Sequence, residues 1–164
     1  AEQAGIPASA DFNRGDNEGV GYFEVNQKSG WRWNTAKAFL RPTCYGRPNF
    51  EMWTVGQATQ LLFEPGPDGQ LRCVGVQVWT GHGLETARIR EGGEVVLSAG
   101  SIGSVQLLQL SGIGPAAHLQ SLGIQPLVDL PGVGANLQDH LQIRAVFKVQ
   151  GTRTLNTLSN SLWG

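Results

Sequence analysis

The stretch Glu94-Val95-Val96-Leu97-Ser98-Ala99-Gly100-Ser101-Ile102-Gly103 decides how this chain is read. Its first four residues are a short apolar run between Gly92-Gly93 and Ser98, the pattern of a strand buried on both faces. Ala99 and Gly100 turn the chain, and Val105, Leu107, Leu108 and Leu110 follow at helical spacing. A strand that passes through glycine into a helix leaves unpaired amides and a positive dipole end at the turn. A phosphate or a flavin can approach such a backbone closely, although the same unit also serves as plain α/β architecture.

Upstream, residues 59–63 precede the turn Pro65-Gly66-Pro67-Asp68-Gly69, residues 74–79 precede Gly81-His82-Gly83, and residues 84–90 precede Glu91-Gly92-Gly93 as a third strand. The spacing predicts a three-stranded meander feeding a fourth, buried strand at 94–97. Residues 7–30 are polar and punctuated by glycine, with one short apolar alternation through Val20, Tyr22 and Val25. Asn34 stands ahead of good helix formers at 35–40, which predicts a short capped helix ended by Pro42. Downstream, Gly114-Pro115 predicts a second helix over 115–122, with proline at its first position and Gly123 just beyond its end. Residues 126–130 read as a strand and 131–134 as a loop. Leu141, Ile143, Ala145 and Phe147 alternate with polar neighbours as in a half-buried strand.

Composition narrows the function. The 164 residues, 17.6 kDa, suffice for one ordinary domain with a single core burying roughly 70% of the unfolded surface. A hydrophobic fraction of 40% against 15% charged residues excludes the signature of disorder. A net charge of -1 gives no basic field for a nucleic acid backbone, so no nucleic acid partner is expected. Two cysteines make no disulfide framework, no secretory leader opens the chain, and no apolar run approaches the ~20 residues of a membrane span. A soluble, cytoplasmic setting is expected, with peripheral membrane association of the full-length protein as the alternative. The chain starts at Ala1 and its only methionine is Met52, which suggests a piece of a longer product.

Few motifs carry chemistry on their own. His82, His118 and His140 lack zinc-ligand spacing with each other or with Cys44 and Cys73. Residues 11–16 depart from the calcium-loop pattern at Gly15, so no metal is expected. There is no Gly-x-Ser-x-Gly elbow. Gly112-Ile113-Gly114-Pro115-Ala116-Ala117 satisfies Gly-x-Gly-x-x-Ala, but a helical pattern precedes it where a dinucleotide site needs a strand, so it reads as a helix-to-helix turn. Trp31, Trp33 and Trp53 could flank a substrate cation, with packing as the plainer role.

Two longer blocks carry a family resemblance: Gly100 through Pro115, with Ser111-Gly112-Ile113-Gly114-Pro115 at its end, and Leu130-Pro131-Gly132-Val133-Gly134-Ala135-Asn136-Leu137-Gln138-Asp139-His140. With Asp11-Phe12-Asn13 and Phe39-Leu40-Arg41-Pro42, they make the chain resemble the glucose–methanol–choline (GMC) oxidoreductases, choline dehydrogenase-like members in particular. Val105 departs from the family's usual proline. The resemblance implies an α/β fold of mixed α+β character: part of a Rossmann-like FAD-binding domain with a β-meander, plus pieces of a substrate-binding domain. Residues 49–140 would belong to the FAD side, and 1–48 and 141–164 to the substrate side. It implies FAD as cofactor, an alcohol as small-molecule substrate, and hydride transfer from alcohol to flavin. Backbone at Ala58 would meet the adenine, and Ala99, Gly100 and Ser101 would line the cofactor. The family's Gly-x-Gly-x-x-Gly turn and its catalytic histidine are not in these residues, so no catalytic residue is assigned, His140 included. The chain alone is expected to be inactive, to bind FAD weakly, and to self-associate through unpartnered apolar strands. The alternative is a non-catalytic nucleotide-binding or interaction module that keeps only the fold.

Overall fold

The computed structural model describes residues 1–159 and divides into two units, Ala1–Thr54 and Val55–Gly164. In the first unit, Asp11 caps a single 3₁₀ turn, Phe12–Arg14, by accepting from the Asn13 amide at 2.8 Å. Of the alternation at Val20, Tyr22 and Val25, only Val20 pairs, in an isolated parallel bridge to Ala8. Strands β1 (Gln27–Lys28) and β2 (Trp31–Arg32) form a tight hairpin. Ser29 and Gly30 both have positive φ, 52° and 78°, the two-residue geometry that suits the right-handed twist of a hairpin.

The expected short helix forms, and Asn34 Oδ1 caps it by accepting from the Lys37 amide at 3.0 Å. Pro42 does not end it. Residues Ala36–Leu40 are wound as a π-helical turn and run directly into α1 (Arg41–Thr43), which holds Pro42 near its start. Pro42 therefore sits where the wide π-helical turn gives way to α1, directly after the Arg41 amide that bonds back to the Ala36 carbonyl.

The second unit holds the meander. Strands β3 (Gln57–Pro65), β4 (Leu71–Trp79) and β5 (Leu84–Arg88) pair antiparallel in the order β3-β4-β5. Its register shifts twice, between Ala58 and Gln60 and between Leu62 and Phe63. At the first shift Thr59 is the extra residue, and its hydroxyl donates to the Gln77 carbonyl at 3.2 Å. Gly75, in the central strand, has no room for a side chain: an added β-carbon would lie 2.5 Å from the Ala87 carbonyl oxygen.

Helix α2 (Gly100–Leu110) packs on β3. A buried polar side chain just beyond the helix bridges this contact. Ser111, 2% exposed, donates to the Leu107 carbonyl at 2.6 Å and accepts from the Leu61 amide at 2.8 Å. Beyond it the chain forms β6 (Ile113–Gly114), α3 (Ala116–Ser121) and β7 (Val128–Asp129), with β6 and β7 parallel. The Gly112 to Gly114 segment is therefore more than a helix-to-helix turn, because Ile113 and Gly114 pair with Val128 and Asp129. Pro115 stands one position earlier than expected, as the residue capping α3, and Gly123 follows the helix with φ 75°. Asp129 Oδ1 accepts from the Ala116 amide at 2.9 Å, closing the start of α3. Helix α4 (Leu155–Ser159) ends the described residues.

Two expected strands do not form. Residues 94–97 are unpaired, and Val96 is 79% exposed. Residues 141–147 are likewise unpaired, with Leu141 94% and Ile143 90% exposed. The apolar patterns are genuine, but a strand needs a neighbour for its amides and carbonyls, and none lies beside either segment among the described residues. The single large core also fails to appear. Among the described residues the buried apolar ones are Leu61, Val78, Leu107, Ile113 and Leu119, all in the second unit. The accessible surface is 14491 Å². Two separately compact units of these lengths would expose roughly 9,000 to 10,000 Å², so much apolar surface lacks a covering layer.

Candidate functional site

The chain enters α2 through Ala99 and Gly100, both exposed, with Ala99 in the capping position and unable to accept a hydrogen bond through its side chain. No acidic residue occupies the first turn. The opening amides of the helix therefore face outward without a side-chain acceptor. Gly100 adopts φ +83°, and an added β-carbon there would meet no heavy atom within 4 Å. The space above this backbone is open, as close approach by a large planar ligand requires.

Ser101 stands at one end of an open cleft of about 560 Å³. One wall is a face of α2, with Ser101, Val105 and Gln109 at successive helical turns together with Ile102 and Gln106. The opposite wall is the loop 134–138. Gln109 ties the walls together, its Nε2 donating to the Val133 carbonyl at 3.2 Å. Gly134 has φ +87°, and a β-carbon there would fall 2.8 Å from Gln109 Nε2, so glycine lets the loop lie this close. Asn136 has φ +58°, a left-handed conformation that asparagine tolerates better than most residues.

Ala58 does not join this cleft. It pairs with Val78 on β3, next to the register shift at Thr59, and lines a smaller cleft of about 280 Å³ with Gly103, Gln106, Leu107 and Leu110. Gln106 lines both clefts, so α2 connects the two sets of expected residues. Sequence reading missed the loop wall. Ser101, Val105 and Gln109 are spaced for one helix face, but nothing in the local pattern of 134–138 says which helix that loop covers.

Other candidates resolve into local structure. Asp11 Oδ2 pairs with Arg14 at 3.2 Å, which with the cap employs both carboxylate oxygens. Among the described residues no group of three or more His, Cys, Asp and Glu side chains could hold a metal ion. The Trp33 ring faces two ammonium groups of the protein itself, Lys28 at 5.2 Å and Lys37 at 5.7 Å. That charge disfavours an added cation on the same ring. No helix among the described residues is long and apolar enough to cross a membrane.

A family model described as GMC oxidoreductase matches residues 1–142, and the chain belongs to this family. It is 43% identical over 141 residues to an alcohol dehydrogenase [acceptor] of Pseudomonas putida, covering 86% of this chain and 24% of that protein. It is 44% identical over 141 residues to an oxygen-dependent choline dehydrogenase of Brucella ovis, with the same coverage. The corresponding enzyme of Sinorhizobium medicae is 40% identical over 162 residues, 99% of this chain and 28% of that one. The chain thus spans about a quarter of the length of these relatives. A solved FAD-dependent oxidoreductase from Chaetomium thermophilum aligns over 53% of this chain and 14% of its own, at 32% identity and a TM-score of 0.45.

Proposed function

We propose that these residues serve an FAD-dependent oxidoreductase acting on the CH–OH group of a small alcohol, choline or an uncharged one. The observation that supports this most is the family match across residues 1–142, with names of alcohol and choline dehydrogenases among the relatives. When bound, FAD supplies the hydride acceptor. The chain's own part is to line it: the open backbone at Ala99 and Gly100, the Ser101 hydroxyl beside them, and the Ala58 backbone on β3. Residues 49–140 belong to the FAD side, and 1–48 and 141–164 to the substrate side; the last five of these, 160–164, lie outside the described residues. We place the protein in the cytoplasm.

The test is anaerobic addition of choline, of an aliphatic and of an aromatic primary alcohol to the whole protein that carries this sequence. Bleaching of bound flavin absorbance by any of them is expected. A protein without flavin, or one whose flavin spectrum none of the alcohols changes, overturns the proposal. The 164 residues alone should bind FAD weakly or not at all and show no dye-coupled alcohol oxidation. They contain no Gly-x-Gly-x-x-Gly turn for the diphosphate and no base placed for the hydroxyl proton.

A further inference from the structure

We propose that Asp68 is a site of covalent modification, spontaneous isomerisation to isoaspartate through the Gly69 amide, and that the turn between β3 and β4 keeps this site closed for as long as Arg72 holds the carboxylate. Asp68 is the chain's only aspartate or asparagine followed by glycine. Glycine is the neighbour that hinders ring closure least, because it has no β-carbon. Both residues are exposed, and at Gly69, with φ +74°, an added β-carbon would meet no heavy atom within 4 Å. In the reaction the Gly69 nitrogen attacks Asp68 Cγ, the amide gives up its proton, and the carboxyl hydroxyl leaves as water, closing a cyclic imide. Water then reopens the imide at the former backbone carbonyl of Asp68. The chain is left running through Cγ, longer by a methylene, with the α-carboxylate as a side group. No oxidant or other reagent enters.

The folded turn opposes both partners of the first step. The Gly69 amide donates to the Gly66 carbonyl at 2.9 Å, and the Gly66 amide donates to the Gln70 carbonyl at 2.7 Å, so the peptide plane that would have to rotate toward Cγ is held. The carboxylate is drawn past that nitrogen, with Oδ1 accepting from the Gln70 amide at 3.1 Å and Oδ2 from Arg72 Nη2 at 3.0 Å. Loss of water requires the neutral carboxyl, and these same donors, Arg72 above all, hold the group below its ordinary pKa. Each unit of lowering cuts the neutral fraction at neutral pH about tenfold. Gly66 makes room for this arrangement: an added β-carbon there would lie 2.5 Å from Arg72 Nε and 2.8 Å from Asp68 Oδ1. The guanidinium can fold back over the turn because that position is glycine.

The experiment ages the whole protein that carries this sequence in warm neutral buffer, beside its Arg72→Gln and Glu64→Gln variants and a free peptide of residues 62–74. Isoaspartate is counted by enzymatic methylation of isoaspartyl groups and placed at residue 68 by fragmentation mass spectrometry of the digest. It should build up fastest in the peptide, and several-fold faster in Arg72→Gln than in the unaltered protein. Glu64→Gln removes the Glu64–Arg88 pair of the same sheet, 2.8 Å, and leaves the Asp68 carboxylate with its partners. It should age like the unaltered protein, which separates loss of the carboxylate's partner from a general loosening of the strands. Ageing of Arg72→Gln at the unaltered rate, equal acceleration by Glu64→Gln, or a peptide no faster than the folded protein overturns the proposal. Absence of isoaspartate at residue 68 from every sample overturns it as well.

Discussion

Gly100 combines two demands that a substitution can separate. Its φ of +83° costs any residue with a β-carbon about 1 to 2 kcal/mol, whether or not a ligand is present. The open space above it accepts a β-carbon without a clash in the free protein. Gly100→Ala and Gly100→Val should therefore lose similar stability, measured by urea unfolding. Flavin retention in the whole protein should fall further with valine, whose branched carbons project into the space left for the cofactor. Equal flavin content in the two variants would show that the backbone there does not touch the cofactor. Nothing in the sequence around Gly100 separates these demands, because a positive φ and an open approach both select glycine.

At the scale of elements, what could be read from sequence was whatever is stabilised locally. The meander strands carry their own turns at 65–69 and 81–83 and form within three residues of where the pattern placed them, and α2, which carries its own periodicity over 105–110, begins five residues earlier, at Gly100. The 94–97 and 141–147 segments depend on partners far along the chain, and their alternation or apolarity could not reveal whether any stood beside them. The candidate site divides the same way: the glycine turn that opens α2 was legible from 99–101, whereas the loop wall depends on a tertiary bond from Gln109. One turn also carries a charge effect. Arg72 hydrogen-bonds the Asp68 carboxylate at 3.0 Å, and with the Gln70 amide it holds that carboxyl below its ordinary value of 3.8. The ionised form is thus favoured in the folded turn. Its contribution is complete at neutral pH and is lost as pH falls through the lowered value. Asp68→Asn should flatten the decline of unfolding free energy below about pH 4. Because both side chains are exposed, raised salt should shrink the difference between the two proteins.

Across the whole molecule, exposed apolar side chains dominate the behaviour of the isolated chain. Leu141, Ile143, Val146 and Phe147 are each at least 80% exposed, and 94–97 offers unpaired backbone beside Val96. Such segments pair with copies of themselves. Light scattering should rise with concentration, and replacing Ile143 and Phe147 by lysine should suppress the rise without altering far-UV circular dichroism. An unchanged concentration dependence would place the sticky surface elsewhere.

The Leu61 to Ser111 bond spans 50 residues, and that separation has a kinetic consequence. Closing a loop of this length costs about 3.5 kcal/mol of chain entropy before the contact returns anything. The two hairpins of the meander close loops of only a few residues, so they should form first and present β3 as a finished surface. Helix α2 then docks late, after the rate-limiting barrier. Ser111→Ala, which leaves the Leu61 amide buried without its acceptor, should lower stability by about 1 to 3 kcal/mol. Nearly all of that loss should appear as faster unfolding, with the refolding limb of a stopped-flow chevron unmoved. The serine would then govern how long the helix stays on the sheet, and have almost no say in how quickly it arrives.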